Sequence, residues 1–322
     1  MKNLGKVLAL TLLTICYIGT NSGVALADET PFKDVPLNHW GYSHIQWAVE
    51  QDVVDGYPDG TFKPKRTVTQ SEFLTMLIRA ANPKVIPDDS STKTWEEPYI
   101  MYARKLGWKA TSPKKKLTRG LAAQLLANAT GKNYDLKDSI QYMLDLGLAQ
   151  GISGKNIEGY QANQEITRAE AVTLIERYSM KYNELHTVSS SLEIYSHADL
   201  FHKYTNSTYH FRLEIPKSWD TRYEVRDQSI GNGHHLNFVN TMTQGTLFTI
   251  SVWSKSDWAE QEEEIKGQIP AVQVGERGNQ VYVFHTPTDV QYDPSNDNAK
   301  NEYQGMFLDV QNIKSSFQIS DK

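Results

Sequence analysis

The sequence predicts a multidomain chain: an all-α bundle of three stacked helix–loop–helix repeats, then a smaller α+β domain built on an antiparallel sheet. Three observations carry this. Thr69, Thr118 and Thr167 recur about 49 residues apart, each ahead of a helically periodic apolar stretch, within the range of stacked repeat units. From residue 204 onward the periodicity changes to strand-like alternation broken by turns. Between the two patterns lies a short polar seam.

Residues 1–27 read as an export signal, not as part of the fold. Lys2 and Lys6 make a basic start, residues 7–18 an apolar run, and Ala25-Leu26-Ala27 a small-x-small cleavage site. The run is short of the ~20 residues a membrane span needs. Ile15 before Cys16 is too large for a lipidation site. Cys16 is the single cysteine, so cleavage would leave no disulfide, zinc-thiolate site or cysteine nucleophile. Acidic residues outnumber basic ones, 38 to 33, and no basic stripe is present, which argues against nucleic acid as a partner. No later stretch is long or apolar enough for a membrane span.

The repeats divide at residues 28–85, 86–133 and 134–185. In the first, Ile45, Ala48 and Val49 mark one helix and Phe73, Met76 and Leu77 a second. Between them Tyr57-Pro58-Asp59-Gly60 is a tight turn, with Pro and Gly where a type I turn wants them. Thr69-Gln70-Ser71-Glu72 then forms a capping box, in which Thr69 caps the helix and Glu72 reaches back to it. The second unit has Ile100, Ala103 and Leu106, then Leu121, Leu125 and Leu126, with a Ser112-Pro113-Lys114 stretch in place of the Gly-Tyr-Pro-Asp-Gly loop. The third has Ile140, Met143 and Leu144, a loop through Gly154 and Gly159, then Ala171, Leu174 and Ile175. Each stripe is too narrow to be buried alone, so the units pack on one another.

The candidate chemistry lies at the starts of the second helices. Capping explains Thr69, Glu72, Thr167 and Glu170 as structural residues. Arg168 and Arg119 fall at the first helical position, where the macrodipole disfavours a cation. An anion docked on free N–H groups would account for them; a surface ion pair is the plainer reading. The first unit has Gln70 at that place, so its groove is expected to lack a fixed charge. Trp40, Tyr57 and Trp95 read either as platforms for sugar faces or as core, and Asp34 either as a hydroxyl acceptor or as a helix cap.

Phe32-Lys33-Asp34-Val35, His39-Trp40, the run from Gly56-Tyr57-Pro58-Asp59-Gly60 to Pro64, and Ile166-Thr167-Arg168-Ala169-Glu170 resemble the S-layer homology (SLH) family. The likeness covers about half the chain and is strong in the first repeat, good in the third and eroded in the second. It implies three repeats that hold a surface protein on anionic, pyruvylated cell-wall polysaccharide without a covalent bond. It also implies that Arg119 and Arg168 contact the pyruvate carboxylate, with Asp34, Trp40, Gly56, Tyr57 and Gln70 beside the sugar.

Residues 186–203 read as a linker of limited length with a helical turn or two near 192–201. In the α+β domain, 204–322, strands are expected at 209–215, 223–226, 236–239, 247–253, 272–274 and 281–285, and helices at 257–269 and 300–317. Phe211 to Ile215, then Pro216 and Trp219, resemble the opening of the PsbP/Mog1-like fold. No catalytic set stands out. His234 and His235 point to opposite faces of a strand, His285 sits in an apolar strand, and Glu260, Glu262, Glu263 and Glu264 read as a solvated helix face. Asp289, Asp293, Ser295 and Asp297 match no calcium-loop spacing. G-x-S-x-G and H-E-x-x-H are absent. The expectation is therefore a secreted, non-enzymatic anchoring protein with no cofactor or metal, displaying a small module. The rivals are a wall-anchored glycan hydrolase, using carboxylates such as Glu214, Glu224 or Asp227, and an S-layer structural protein.

Overall fold

A computed structural model describes residues 32–81, 94–111 and 113–320. The expected export signal at 1–27, the repeat boundary at 85/86 and Ser112 lie outside them. Six helices fall two to a repeat in sequence, α1 (Tyr42–Glu50) and α2 (Gln70–Ala80), α3 (Glu97–Lys105) and α4 (Arg119–Ala129), α5 (Leu136–Asp145) and α6 (Arg168–Lys181), but pack across repeats, α2 on α3, α4 on α5 and α6 on α1. Thr69 and Thr167 head α2 and α6 in full capping boxes. Thr118 caps α4 through the Leu121 N–H alone, because an apolar residue stands where the box needs Glu. Their inner faces share one core that includes Ile45, Phe73, Leu126, Met143 and Ile175.

The expectation of an all-α bundle followed by one sheet layer is corrected on two counts. First, β bridges tie the repeats at their centre, pairing Thr67 with Thr167, Thr69 with Lys116 and Thr118 with Glu165. The Val68 N–H donates to Ile166 O at 3.1 Å, Ile166 N–H to Leu117 O at 2.9 Å, and Leu117 N–H back to Val68 O at 2.9 Å. The cause is local. A capping threonine must be extended (φ −86°, ψ 167° at Thr69), so the residue before it shows its backbone groups sideways, and three such residues close a ring. Second, the C-terminal half holds two antiparallel sheets.

The smaller sheet joins β1 (Phe201–Asn206), β2 (Phe211–Pro216) and β8 (Gln318–Ile319), with β2 in the middle. The larger runs β3 (Tyr223–Ile230), β4 (Gly233–Asn240), β5 (Thr246–Ser254), β7 (Gln280–His285), β6 (Val272–Arg277) in spatial order. Its inner face stacks Phe238 on Phe248 and Phe248 on Phe284, with centroids 4.2 and 4.8 Å apart. Tyr303 and Met306 from α8 (Asp297–Phe307) cover that face, and Val310 and Ile313 from α9 (Val310–Ser315) join the same core over β2 of the smaller sheet. Sequence periodicity reads these two as one helix, but the chain breaks at Leu308-Asp309, where the Asp309 carboxylate turns inward to accept Trp219 Nε1–H at 3.0 Å. The outer face carries α7 (Lys255–Gln268), which buries Trp258 and little else.

The two halves are docked. Lys181 from α6 donates to Asp309 at 2.5 Å with both side chains almost wholly buried, and Asn312 donates to the Leu144 and Asp145 carbonyls. Gly305 lets α8 close on α6: a Cβ there would stand 2.6 Å from Met180 O. The segment 186–200 is hydrogen-bonded onto the second repeat, His186 N–H to Ala129 O, Val188 N–H to Leu106 O and Glu193 N–H to Asn133 O, and onto the third through Tyr195 N–H to Asp138 at 3.0 Å.

His197 bridges the halves, with Nδ1 2.8 Å from Asp145 and Nε2 3.0 Å from Glu214. Burial pulls this imidazole down, yet hydrogen bonds to the two carboxylates together raise its pKa above 6.5. A raised histidine contributes stability that is full below its unfolded pKa and is lost as pH rises through the folded one. The melting temperatures of wild type and His197→Gln should therefore differ most below pH ~6.5 and converge on the alkaline side. A constant gap across that window would contradict the bridge.

Candidate functional site

Each second helix begins against the loop of another repeat. The first N–H of α2 donates to Lys115 O, that of α4 to Gln164 O and that of α6 to Arg66 O; the second ones donate to Pro113, Ala162 and Pro64. The third goes to the capping threonine. These helix ends are therefore closed to an incoming anion, and any anion must be met by side chains.

The first-position side chains repeat the pattern. Arg168 donates to Asp55 O in the first repeat, Arg119 to Gln150 O in the third at 3.0 Å, and Gln70 to Lys109 O in the second at 3.0 Å. All three bracket neighbouring repeats, but their surroundings differ. Arg119 also donates to Tyr160 O at 3.0 Å and Glu170 at 3.2 Å, and lies 4.8 Å over the Tyr160 ring. Tyr160 returns a bond from its hydroxyl to Arg119 O, and burial pushes that phenol up to about 12. This arginine is enclosed and engaged on three nitrogens.

Arg168 faces the first-repeat loop, so the cation that Gln70 does not supply arrives from the third repeat. Its guanidinium lies 4.6 Å over Phe62 and 5.4 Å over Tyr57. The Tyr57 ring also carries Lys63 Nζ at 4.0 Å and the Arg66 guanidinium at 5.8 Å. Arg66 pairs with Glu72 at 2.6 Å, and Lys63 with Asp59 at 3.3 Å. Nε of Arg66 and Nε of Arg168 are buried without an acceptor. Burial pulls the Arg168 guanidinium below its ordinary value and the Arg66 charge adds to this, against the raising influence of Tyr57 and the nearby carboxylates. Three cations around one ring, two with an unmet N–H, suit an anionic oxygen ligand.

The loop is held for this. Asp34 accepts from Phe62 N–H and Lys63 N–H, both at 2.8 Å, so its oxygens clamp the loop. Gly56 is required where the chain passes Phe32, since a Cβ would stand 2.2 Å from that ring. Trp40 is 60% exposed, stacked on His39, one residue before Gly41, which approaches Ala169 of α6. Trp40 thus flanks the helix start that carries Arg168. Trp95 is equally exposed, before α3. Lys63 and Arg66 are the residues that sequence reasoning missed, although the Lys63-Pro64-Lys65-Arg66 run ahead of the cap was a signal.

In the second half Glu214 is taken by His197, Glu224 by Arg226 and Asp227 by Tyr209. Among the described residues no group of three His, Cys, Asp or Glu could hold a metal ion, and no helix is long and apolar enough to cross a membrane.

Residues 31–74, which contain the Asp34 clamp, Trp40, the Tyr57 loop and the Thr69 cap, match the S-layer homology domain family. The chain therefore carries an S-layer homology domain. It is similar to the S-layer protein sap of Bacillus anthracis, 28% identical over 207 residues, which covers 55% of this chain and 24% of that protein. It is similar to a cellulosome-anchoring protein of Acetivibrio thermocellus, 40% identical over 61 residues, 19% of this chain and 12% of that one. An uncharacterized cell wall amidase of Bacillus anthracis is 29% identical over 192 residues, 52% of this chain and 35% of its own. The chain spans about a quarter of the length of the S-layer relatives it matches.

The two arginines should separate by stability. Arg119→Ala removes the buried guanidinium's bonds to two carbonyls and to the partly exposed Glu170, a loss of about 1.5–3 kcal/mol. Arg66→Ala, at a partly exposed side chain, should stay within about 1 kcal/mol of wild type. Urea unfolding followed by circular dichroism distinguishes them, and equal midpoints for Arg119→Ala and wild type would contradict the bracket.

Proposed function

We propose that the N-terminal half anchors the protein non-covalently to an anionic cell-wall polysaccharide, and that the ligand's carboxylate docks at Arg168, Arg66 and Lys63. The observation that carries this reading is the pair of buried guanidinium N–H groups without acceptors beside the Tyr57 ring. A carboxylate beside the Tyr57 ring would offset the mutual repulsion of the two arginines. Trp40 and Tyr57 offer apolar ring faces for the sugar to which the carboxylate is attached. A ketal-linked pyruvate, which the SLH resemblance implies, has the required charge on a sugar. The domain match and the S-layer and cellulosome-anchoring relatives support anchoring at the cell wall or cell surface. The docked second half then travels as cargo.

An enzymatic cargo is the second reading, favoured by the likeness to a cell wall amidase. The S-layer relatives favour a structural role instead.

Sedimentation of the full chain with purified cell walls tests the proposal. Arg168→Ala and Arg66→Ala should each weaken binding about ten- to a hundred-fold, since a charge-assisted hydrogen bond contributes roughly 1.5–3 kcal/mol. Binding should also fall with salt, and stripping pyruvate from the walls should reproduce the variants. Wild-type binding by both variants would reject this site. Clearing of wall material in a zymogram would instead support the enzymatic cargo.

A further inference from the structure

The outer face of the five-stranded sheet carries a second polar cluster that anchoring does not use. Ser251 on β5 is buried, and its Oγ lies 2.8 Å from His235 Nδ1 on β4 and 3.0 Å from His285 Nε2 on β7. One hydroxyl proton serves two imidazoles, so Ser251 donates to one ring and accepts from the other. The His235 ring meets Trp253 edge-on at 5.4 Å. Trp253 is more than nine-tenths buried, yet its Nε1–H has no acceptor, and His235 Nε2 is likewise buried without a well-formed bond. His235, Ser251, Trp253 and His285 line a cavity of about 460 Å³ between the sheet and α7, within the size range of small-molecule sites.

The lining narrows the ligand. Ile265, Ile269 and Val283 give an aliphatic wall. Asp257 and Glu260 stand at the rim: among the described residues the Asp257 carboxylate accepts from the Asn232 amide and the Ser254 hydroxyl, and the Glu260 side chain has no ion pair or hydrogen bond. The nearby lysines of α7 are spent elsewhere, Lys255 on Glu276 and Lys266 on Glu262. Burial keeps both imidazoles neutral near pH 7, His285 down to about 4 and His235 below its ordinary value despite the Ile230 backbone. The rim is therefore anionic and the floor uncharged. An anionic ligand would be repelled. A polyamine would bring no acceptor for the Trp253 N–H, which can only donate. A hydroxylated ring with an ammonium group satisfies both ends.

We propose that the cavity between α7 and the sheet binds an amino sugar, its hydroxyls on Trp253 Nε1–H, His235 and Ser251 and its ammonium at Asp257 and Glu260. The site lies in the carried half and is independent of the Arg168 anchor. The test is a titration of the full chain with glucosamine, glucose, glucuronate and spermidine, following the indole N–H resonance assigned by its loss in Trp253→Phe. Glucosamine should shift that resonance saturably, glucose more weakly, and glucuronate and spermidine not at all. Glu260→Gln, an exposed position that leaves the fold intact, should lower glucosamine affinity several-fold toward that of glucose, and Arg168→Ala should leave it unchanged. Absence of a saturable glucosamine shift, an equal response to glucuronate or spermidine, indifference to Glu260→Gln, or loss in Arg168→Ala would each overturn the proposal.

Discussion

Three backbone hydrogen bonds at the centre of the repeats, Val68 to Ile166, Ile166 to Leu117 and Leu117 to Val68, set the geometry of everything around them. Their side chains are fully buried, so the polar groups they share have no water to fall back on, and each bond left unmade would cost about 1–3 kcal/mol. The ring fixes where each capped helix starts. It therefore fixes which neighbour's loop receives the first helical side chain. No repeat completes a groove by itself: the loop around Tyr57 belongs to the first repeat and its Arg168 to the third.

One architectural position then does three jobs. Arg119 is engaged on all three nitrogens by Tyr160, Gln150 and Glu170 and serves as a bracket. Gln70 brackets the second repeat through Lys109 O without bringing charge. Arg168 brackets the first repeat and still keeps an unmet Nε–H, next to an Arg66 in the same condition. Symmetry of backbone thus coexists with asymmetry of chemistry, and the ligand reading rests on the single groove where cations gather around an aromatic ring.

The capped helices were legible because Thr-x-x-Glu acts within four residues and needs no tertiary context. The ring was not, since it depends on three extended residues meeting in space. Tyr57 and Arg168 were each visible in the sequence, but only the order of repeats around the ring shows that they meet. Strand β1 hid in the expected linker, because Phe201-His202-Lys203-Tyr204 alternates weakly and gains its partner only from β2. The break between α8 and α9 carries no Gly or Pro; the buried pull of Lys181 and Trp219 on Asp309 accounts for it. Likewise His235 and His285 looked unrelated, until strand pairing set Ser251 between them.

The proposed anchoring groove is shared by two repeats that are far apart in sequence. A double-mutant cycle on wall binding, with Tyr57→Leu in the first repeat and Arg168→Ala in the third, measures this directly. Groups acting in one site should show a coupling energy of about 0.5–3 kcal/mol. Additive losses, with no coupling beyond about 0.3 kcal/mol, would mean that the two residues act in separate places and that the shared groove does not exist.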